Sequence, residues 1–207
     1  MTRIILTRHG QTVWNTEGRV QGSLDSPLTE KGILQARSLA LRLKDEKINY
    51  IYSSDSPRAV NTAEEIRREL GLEKIFLSPA LREFSFGEWE GYIWQELRES
   101  YPDIFKQWDS VPHLVTTPGG ENMDLVLKRA WDFLQQIIQT HRGETVCLVT
   151  HGITLKLLVT KALGFEVHEW AQTPWQHNTA LNIIEIDGDK WTPCILGDCK
   201  HLDALEG

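Results

Sequence analysis

Three short apolar runs rich in β-branched residues limit this chain's fold more than anything else: Ile4 to Thr7, Ile48 to Tyr52 and Thr145 to Thr150. A run apolar at successive positions suits a strand buried on both faces, the usual condition of a parallel sheet. Each run is followed by turn or helix signals. Thr29 can cap a helix through Ala36, Leu39 and Leu43 to about Asp45, and Ser56-Pro57 offers an N-cap and first turn for a helix through Ala63, Ile66 and Leu70 that Gly71 closes. The spacing predicts two more helices. One runs from Asp124 to His141 with Leu127, Ala130, Leu134, Ile137 and Ile138 on one face, and the other follows Gly152 through Leu155, Leu158 and Val159 to Gly164. Leu181 to Ile186 and Lys190 to Ile195 flank Asp187-Gly188-Asp189 and predict a hairpin. The alternation predicts an α/β three-layer sandwich: a mostly parallel central sheet, one antiparallel edge strand from the hairpin, and helices on both faces. The aromatic and proline-rich segment from Phe84 to Pro118 breaks the alternation and reads as an irregular or short-helical excursion over one end of the sheet.

A length of 207 residues suits one domain with a full core. The formal charge of −7 argues against nucleic acid as a partner, since that partner wants a basic face. No apolar run approaches a membrane span. The first strand begins directly behind Met1 with no targeting segment ahead of it, so the expected setting is cytoplasmic. The three cysteines form no disulfide framework. Cys147 reads as a buried core thiol, while Cys194, Cys199 and His201 match no zinc spacing. Neither a metal nor a cofactor is expected. An anionic substrate would have to be drawn by a few concentrated cations against the overall field.

Two strands end alike, in Thr7-Arg8-His9-Gly10 and in Thr150-His151-Gly152. Ligands of open α/β sheets bind beyond the carboxyl ends of the strands, so both histidines emerge where a site belongs. The glycine behind each, Gly152 among them, lets backbone approach a ligand closely. Arg58 falls in the first turn of its helix, where free N–H groups and the helix dipole favour an anion. A lone histidine or helix-surface arginine has bland explanations; together they suggest phosphoryl chemistry. Arginine matches phosphate oxygens in a fork, and imidazole is a competent nucleophile near neutral pH.

The segments that carry these residues, Leu6-Thr7-Arg8-His9-Gly10-Gln11-Thr12-Val13-Trp14-Asn15, Gln21-Gly22, Asp25-Ser26-Pro27-Leu28-Thr29-Glu30-Lys31-Gly32 and Ser53-Ser54-Asp55-Ser56-Pro57-Arg58-Ala59, are followed by Leu81 to Gly91, Pro118 to Glu121 and Val149 to Gly152. In this order they resemble the histidine phosphatase superfamily, the phosphoglycerate-mutase-like proteins, over nearly the whole chain. The resemblance implies a single domain over 1–207 with a lid-like excursion at about 84–118. It implies that His9 is the phosphorylated nucleophile, that Arg8, Arg58 and His151 bind the phosphoryl oxygens, that Asn15 adds a phosphate contact and that Gln21 lines the pocket. It implies also that Glu83 is the proton donor and acceptor, a residue composition alone would not single out. Such a carboxyl can protonate the leaving oxygen and later take the proton of the attacking water.

Phe84 and Phe86, next to Glu83, are the best candidates for an apolar substrate wall; Trp14 and Trp175 are weaker ones. Within the excursion only Arg98 and Lys106 are basic between Phe84 and Pro118, which suits an ester with an organic leaving portion better than a second phosphate or a small carboxylate, either of which would want more cation. The expected activity is therefore hydrolysis of small-molecule phosphomonoesters, with likeness to bacterial broad-specificity phosphatases of this superfamily. The alternatives are phosphoglycerate mutase or α-ribazole phosphatase activity, and, more remotely, a non-catalytic module that binds phospho-ligands.

Overall fold

The computed structural model describes residues 1–205. Six strands form one sheet: β1 (Thr2–Arg8), β2 (Tyr50–Ser53), β3 (Ile75–Leu77), β4 (Thr145–Thr150), β5 (Leu181–Asp187) and β6 (Lys190–Asp198), in the order β3-β2-β4-β1-β5-β6. β1, β2, β3 and β4 pair in parallel, and β5 lies antiparallel to both β1 and β6. The expected hairpin thus closes one edge of the sheet, with β5 as the strand running against the rest. The helices are α1 (Val13–Thr16), α2 (Glu30–Arg42), α3 (Pro57–Leu70), α4 (Trp94–Ser100), α5 (Pro102–Ser110), α6 (Met123–Thr140) and α7 (Gly152–Ala162), joined by 3-10 turns.

Successive side chains of a strand face opposite sides, so each apolar run supplies two cores at once. Ile4, Leu6, Val146 and Leu148 pack under α6 and α7, with Ala130, Leu134, Leu155 and Leu158. Ile5, Ile51, Cys147 and Val149 pack on the other face under α2 and α3, with Leu39, Leu43, Ala63 and Ile66. Burial pushes the Cys147 thiol up to about 12, as suits an inert core group. The third cluster belongs to the excursion, where Phe84, Trp89, Leu97 and Phe105 meet Met123 of α6 and Ile153 and Leu157 of α7. Among the described residues no helix is long and apolar enough to cross a membrane.

Local signals set the helix ends. Thr29 accepts from Gly32 N at 2.9 Å, and Gly71 closes α3 in the left-handed region at φ 65°. Ser56 has the extended backbone of an N-cap but makes no side-chain cap hydrogen bond. The second strand begins at Tyr50, later than its apolar run suggests, and β3 was not legible at all. β3 is only three residues long and only partly buried or exposed, so no periodicity marks it.

Candidate active site

β1 and β4 are hydrogen-bonded neighbours in register Arg8↔Thr150, so His9 and His151 leave the same edge of the sheet side by side. The His9 N–H donates to the Thr150 carbonyl at 3.0 Å, and the two imidazoles stand edge to face with centroids 5.3 Å apart. β2 lies on the other side of β4; beyond its end, Ser54 places Oγ 2.8 Å from His151 Nε2, and α3 then carries Arg58.

His9 is almost fully buried, and its Nδ1 lies 2.7 Å from the Gly10 carbonyl oxygen. A carbonyl can only accept, so Nδ1 carries the proton and Nε2 keeps its lone pair. Burial, reinforced by Arg58 and Arg8, holds the His9 imidazole well below the ordinary histidine value. The ring is therefore neutral at physiological pH, the state a nucleophile needs. His151 is held low in the same way, by burial first and then by Arg58, His9, Arg8 and Arg129.

The two arginines are fixed by backbone carbonyls. Arg8 Nη1 donates to Gln176 O at 3.0 Å. Arg58 is 1% exposed and donates from Nη1 to Leu24 O and Asp25 Oδ1 and from Nη2 to Gly22 O, each at 2.8 Å. Burial lowers the Arg8 pKa, Glu83 opposes the shift and Arg58 adds to it, yet a guanidinium stays charged under such a shift. Both Nε atoms are buried without a protein partner, and so are His151 Nδ1 and Gln21 Oε1. An unpaired buried polar atom costs roughly 1–3 kcal/mol, so four around one cavity mark a place built for a polar ligand.

Glu83 reaches the cavity from the loop after β3, at the start of α7. Its Oε1 accepts from Phe84 N at 2.9 Å and Thr154 N at 3.1 Å, and its Oε2 from Ile153 N at 3.2 Å. The free N–H groups of a helix start thus orient both oxygens. Arg129 of α6 supports this loop from below: it donates to the carbonyls of Ala80, Arg82 and Glu83 and pairs with Glu121, which accepts from Ser85 N. Asn15 Oδ1 already receives Thr12 N at 3.1 Å and Asn178 Nδ2 at 3.2 Å, so its own Nδ2 is the atom left to meet an anion.

These residues share a cavity of about 120 Å³ lined by Arg8, His9, Asn15, Gln21, Arg58, Glu83, Phe86 and Gly152, together with Arg19, Val20, Gly22, Trp94, Ile153 and Trp175. His151 stands beside it, wholly buried against His9. Phe84 does not reach it. The residue after Glu83 turns the other way, and the Phe84 ring is buried against Phe86 and Trp108 in the core of the excursion. Trp14 is also absent from the lining, while Trp175 is part of it. Arg19, Ser54, Asn178 and Arg129 escaped the sequence reading. Ser54 follows the end of β2 but is one of several serines there, and a lone arginine or asparagine carries no periodic signal. Among the described residues, no group of three or more His, Cys, Asp or Glu side chains could hold a metal ion.

A neutral imidazole beside two arginines at the carboxyl edge of a mostly parallel sheet is an arrangement that suits a phosphatase. The chain belongs to the histidine phosphatase superfamily (branch 1), whose family model matches residues 4–198. It is 36% identical over 203 residues to phosphoglycerate mutase-like protein 4 of Arabidopsis thaliana, covering 97% of this chain and 86% of that one. It is 34% identical over 207 residues to the metal-independent phosphoserine phosphatase of the same plant, covering 99% and 85%. The solved structure of Bacillus stearothermophilus YhfR superposes with a TM-score of 0.93 at 39% identity, covering 98% of this chain and all of that one.

Proposed function

We propose that this enzyme hydrolyses phosphomonoesters of small organic molecules through a phosphohistidine on His9. The observation that carries the reading is the neutral, tautomer-fixed His9, lining one cavity together with Arg8 and Arg58. The guanidinium groups, with Asn15 and His151, would hold the three non-bridging oxygens, which aligns the ester and neutralises charge as it spreads in the transition state. His9 Nε2 attacks phosphorus in line, the bond to the leaving oxygen breaks, and Glu83 delivers a proton to that oxygen as the alcohol departs. Water then attacks the phosphorus, Glu83 takes its proton, the N–P bond breaks, and inorganic phosphate leaves with His9 neutral again.

Transfer to water rather than to a second phosphoester hydroxyl is favoured because the excursion brings no basic residue to the cavity. Neither Arg98 nor Lys106 lines the cavity, and Arg98 is engaged by Asp109 at 2.7 and 3.0 Å. Brief mixing with a ³²P-labelled ester and quenching without acid should trap label on His9, and His9→Ala should trap none and turn over nothing. Normal turnover by that variant would refute the mechanism. Assayed with 3-phosphoglycerate and its bisphosphate primer beside a panel of esters, the enzyme should release phosphate faster than it isomerises.

A further inference from the structure

Three arginines line the cavity, and the proposed mechanism uses only Arg8 and Arg58. The third, Arg19, has a side chain 32% exposed where Arg58 is 1% exposed, so it stands at the mouth. Its place is set by the backbone: Arg19 N donates to Trp14 O at 2.9 Å, and its strand-like stretch bridges Ile93. The guanidinium lies over the Trp14 ring with Cζ 5.7 Å from the centroid, and Nη1 donates to the Gly91 carbonyl. Nε meets Glu17 at 3.0 Å, a carboxylate 42% exposed. An ion pair so open to water gains little and exchanges readily. Nη2 makes no hydrogen bond among the described residues.

The wall shared with the phosphoryl end is apolar, formed by Val20, Phe86, Trp94, Ile153 and Trp175. The cavity therefore offers two arginines at its floor, an apolar wall, and one guanidinium at its mouth. A ligand matching that arrangement has a phosphate at one end, a short hydrocarbon or aromatic middle and a singly charged anion at the other. A second phosphate would bring about two negative charges to one guanidinium already beside Glu17, whereas a carboxylate brings one and can take the Nη2 hydrogens.

Resting on the phosphatase reading, we propose that Arg19 is a second anion receptor, which selects phosphomonoesters whose leaving group carries a carboxylate beyond an apolar segment. The test compares kcat/KM for 4-carboxyphenyl phosphate with that for its uncharged isostere, 4-carbamoylphenyl phosphate, at constant ionic strength. The wild-type enzyme should prefer the carboxylate about tenfold, through KM, as one added charge-assisted hydrogen bond from Nη2 allows. Arg19→Gln should bring the ratio near one, Arg19→Lys should keep part of it, and Glu17→Gln, which removes the competing carboxylate, should raise it. A wild-type ratio near one, or a preference that survives Arg19→Gln, overturns the proposal. So does a Glu17→Gln ratio that fails to rise, a result that stands even if Arg19→Gln does not fold. Better use of 1,4-phenylene bisphosphate than of the carboxylate would overturn the choice of anion. Hydrolysis of both monoesters without discrimination removes only the role of Arg19, whereas hydrolysis of neither removes the phosphatase reading with it.

Discussion

At the scale of single residues, the site is an exercise in assigning protons and amide faces. His9 has a defined tautomer because its neighbour Gly10 offers only an acceptor. Asn15 has a defined face because Asn178 and Thr12 occupy its oxygen. Asn178 Nδ2 also donates to the His9 carbonyl at 3.0 Å, so one side chain steadies two parts of the proposed phosphate cradle. Asn178→Ala should lower kcat/KM by about tenfold to a hundredfold, the scale on which small misplacements act. Asn178→Asp should be worse, since it sets an acceptor against two acceptors. Steady-state kinetics on both variants, with melting temperatures as a control for folding, checks this. Glu83→Gln should slow esters of poor leaving groups most and nitrophenyl phosphate least, because nitrophenolate departs without a proton. Equal losses for both would count against Glu83 as the acid.

At the scale of elements, close backbone approach decides what fits. A Cβ on Gly10, at the end of β1, would lie 2.4 Å from Gly32 O in α2, and backbone cannot move aside cheaply. Gly10→Ala should therefore destabilise the fold by about 3 kcal/mol or more, read from urea unfolding. Gly152, at the start of α7, is different. A Cβ there would meet the Arg8 guanidinium at 3.5 Å and Glu83 Oε2 at 3.6 Å, ordinary contact distances. Gly152→Ala should fold normally yet raise KM for every ester, since the methyl group occupies cavity space. Further along α7, Lys156 is buried with Nζ 4.4 Å from the Trp170 ring centroid and 5.5 Å from that of Trp175. Cation–π attraction is strongest where the cation is desolvated, and here it holds Trp175 at the cavity mouth. Lys156→Met should weaken binding of aryl esters through KM while leaving kcat near wild type, with Lys156→Arg restoring it.

At the scale of the molecule, the buried histidine pair couples stability to pH. Both imidazoles are held well below the ordinary value near 6.5, so below that pH the unfolded chain binds protons that the folded chain refuses. Stability is fully present above the unfolded value and is lost as pH falls from there toward the lower folded values. Each group contributes a slope of up to ~1.4 kcal/mol per pH unit within that window. Urea unfolding should show wild type losing more stability between pH 7.5 and 5.5 than the double variant His9→Gln, His151→Gln. An equal loss in both would show that other groups carry the acid sensitivity. The chain's net charge of −7 does not enter this window, because the charges that act on the pair are the neighbouring arginines.

The β-branched runs and capped amphipathic helices were legible because strand and helix periodicities are local properties, and two His-Gly strand ends pointed to the proposed site because parallel strands all end on one edge. Glu83 came only through resemblance. The role proposed for it depends on meeting the start of α7, some seventy residues further along the chain. Phe84 was misplaced because sequence adjacency says nothing about which way a loop residue turns. Arg19, Asn178 and Arg129 were invisible for a related reason: each acts by donating to atoms distant in sequence, and hydrogen-bond geometry between distant segments exists only once the sheet and helices have packed. The sequence by itself determined the layers of the sandwich, its longer helices and the strand end at which His9 stands. The tertiary structure decided which proton His9 keeps, which face Asn15 shows and which cation stands at the cavity mouth, because each depends on a partner that folding alone brings within reach.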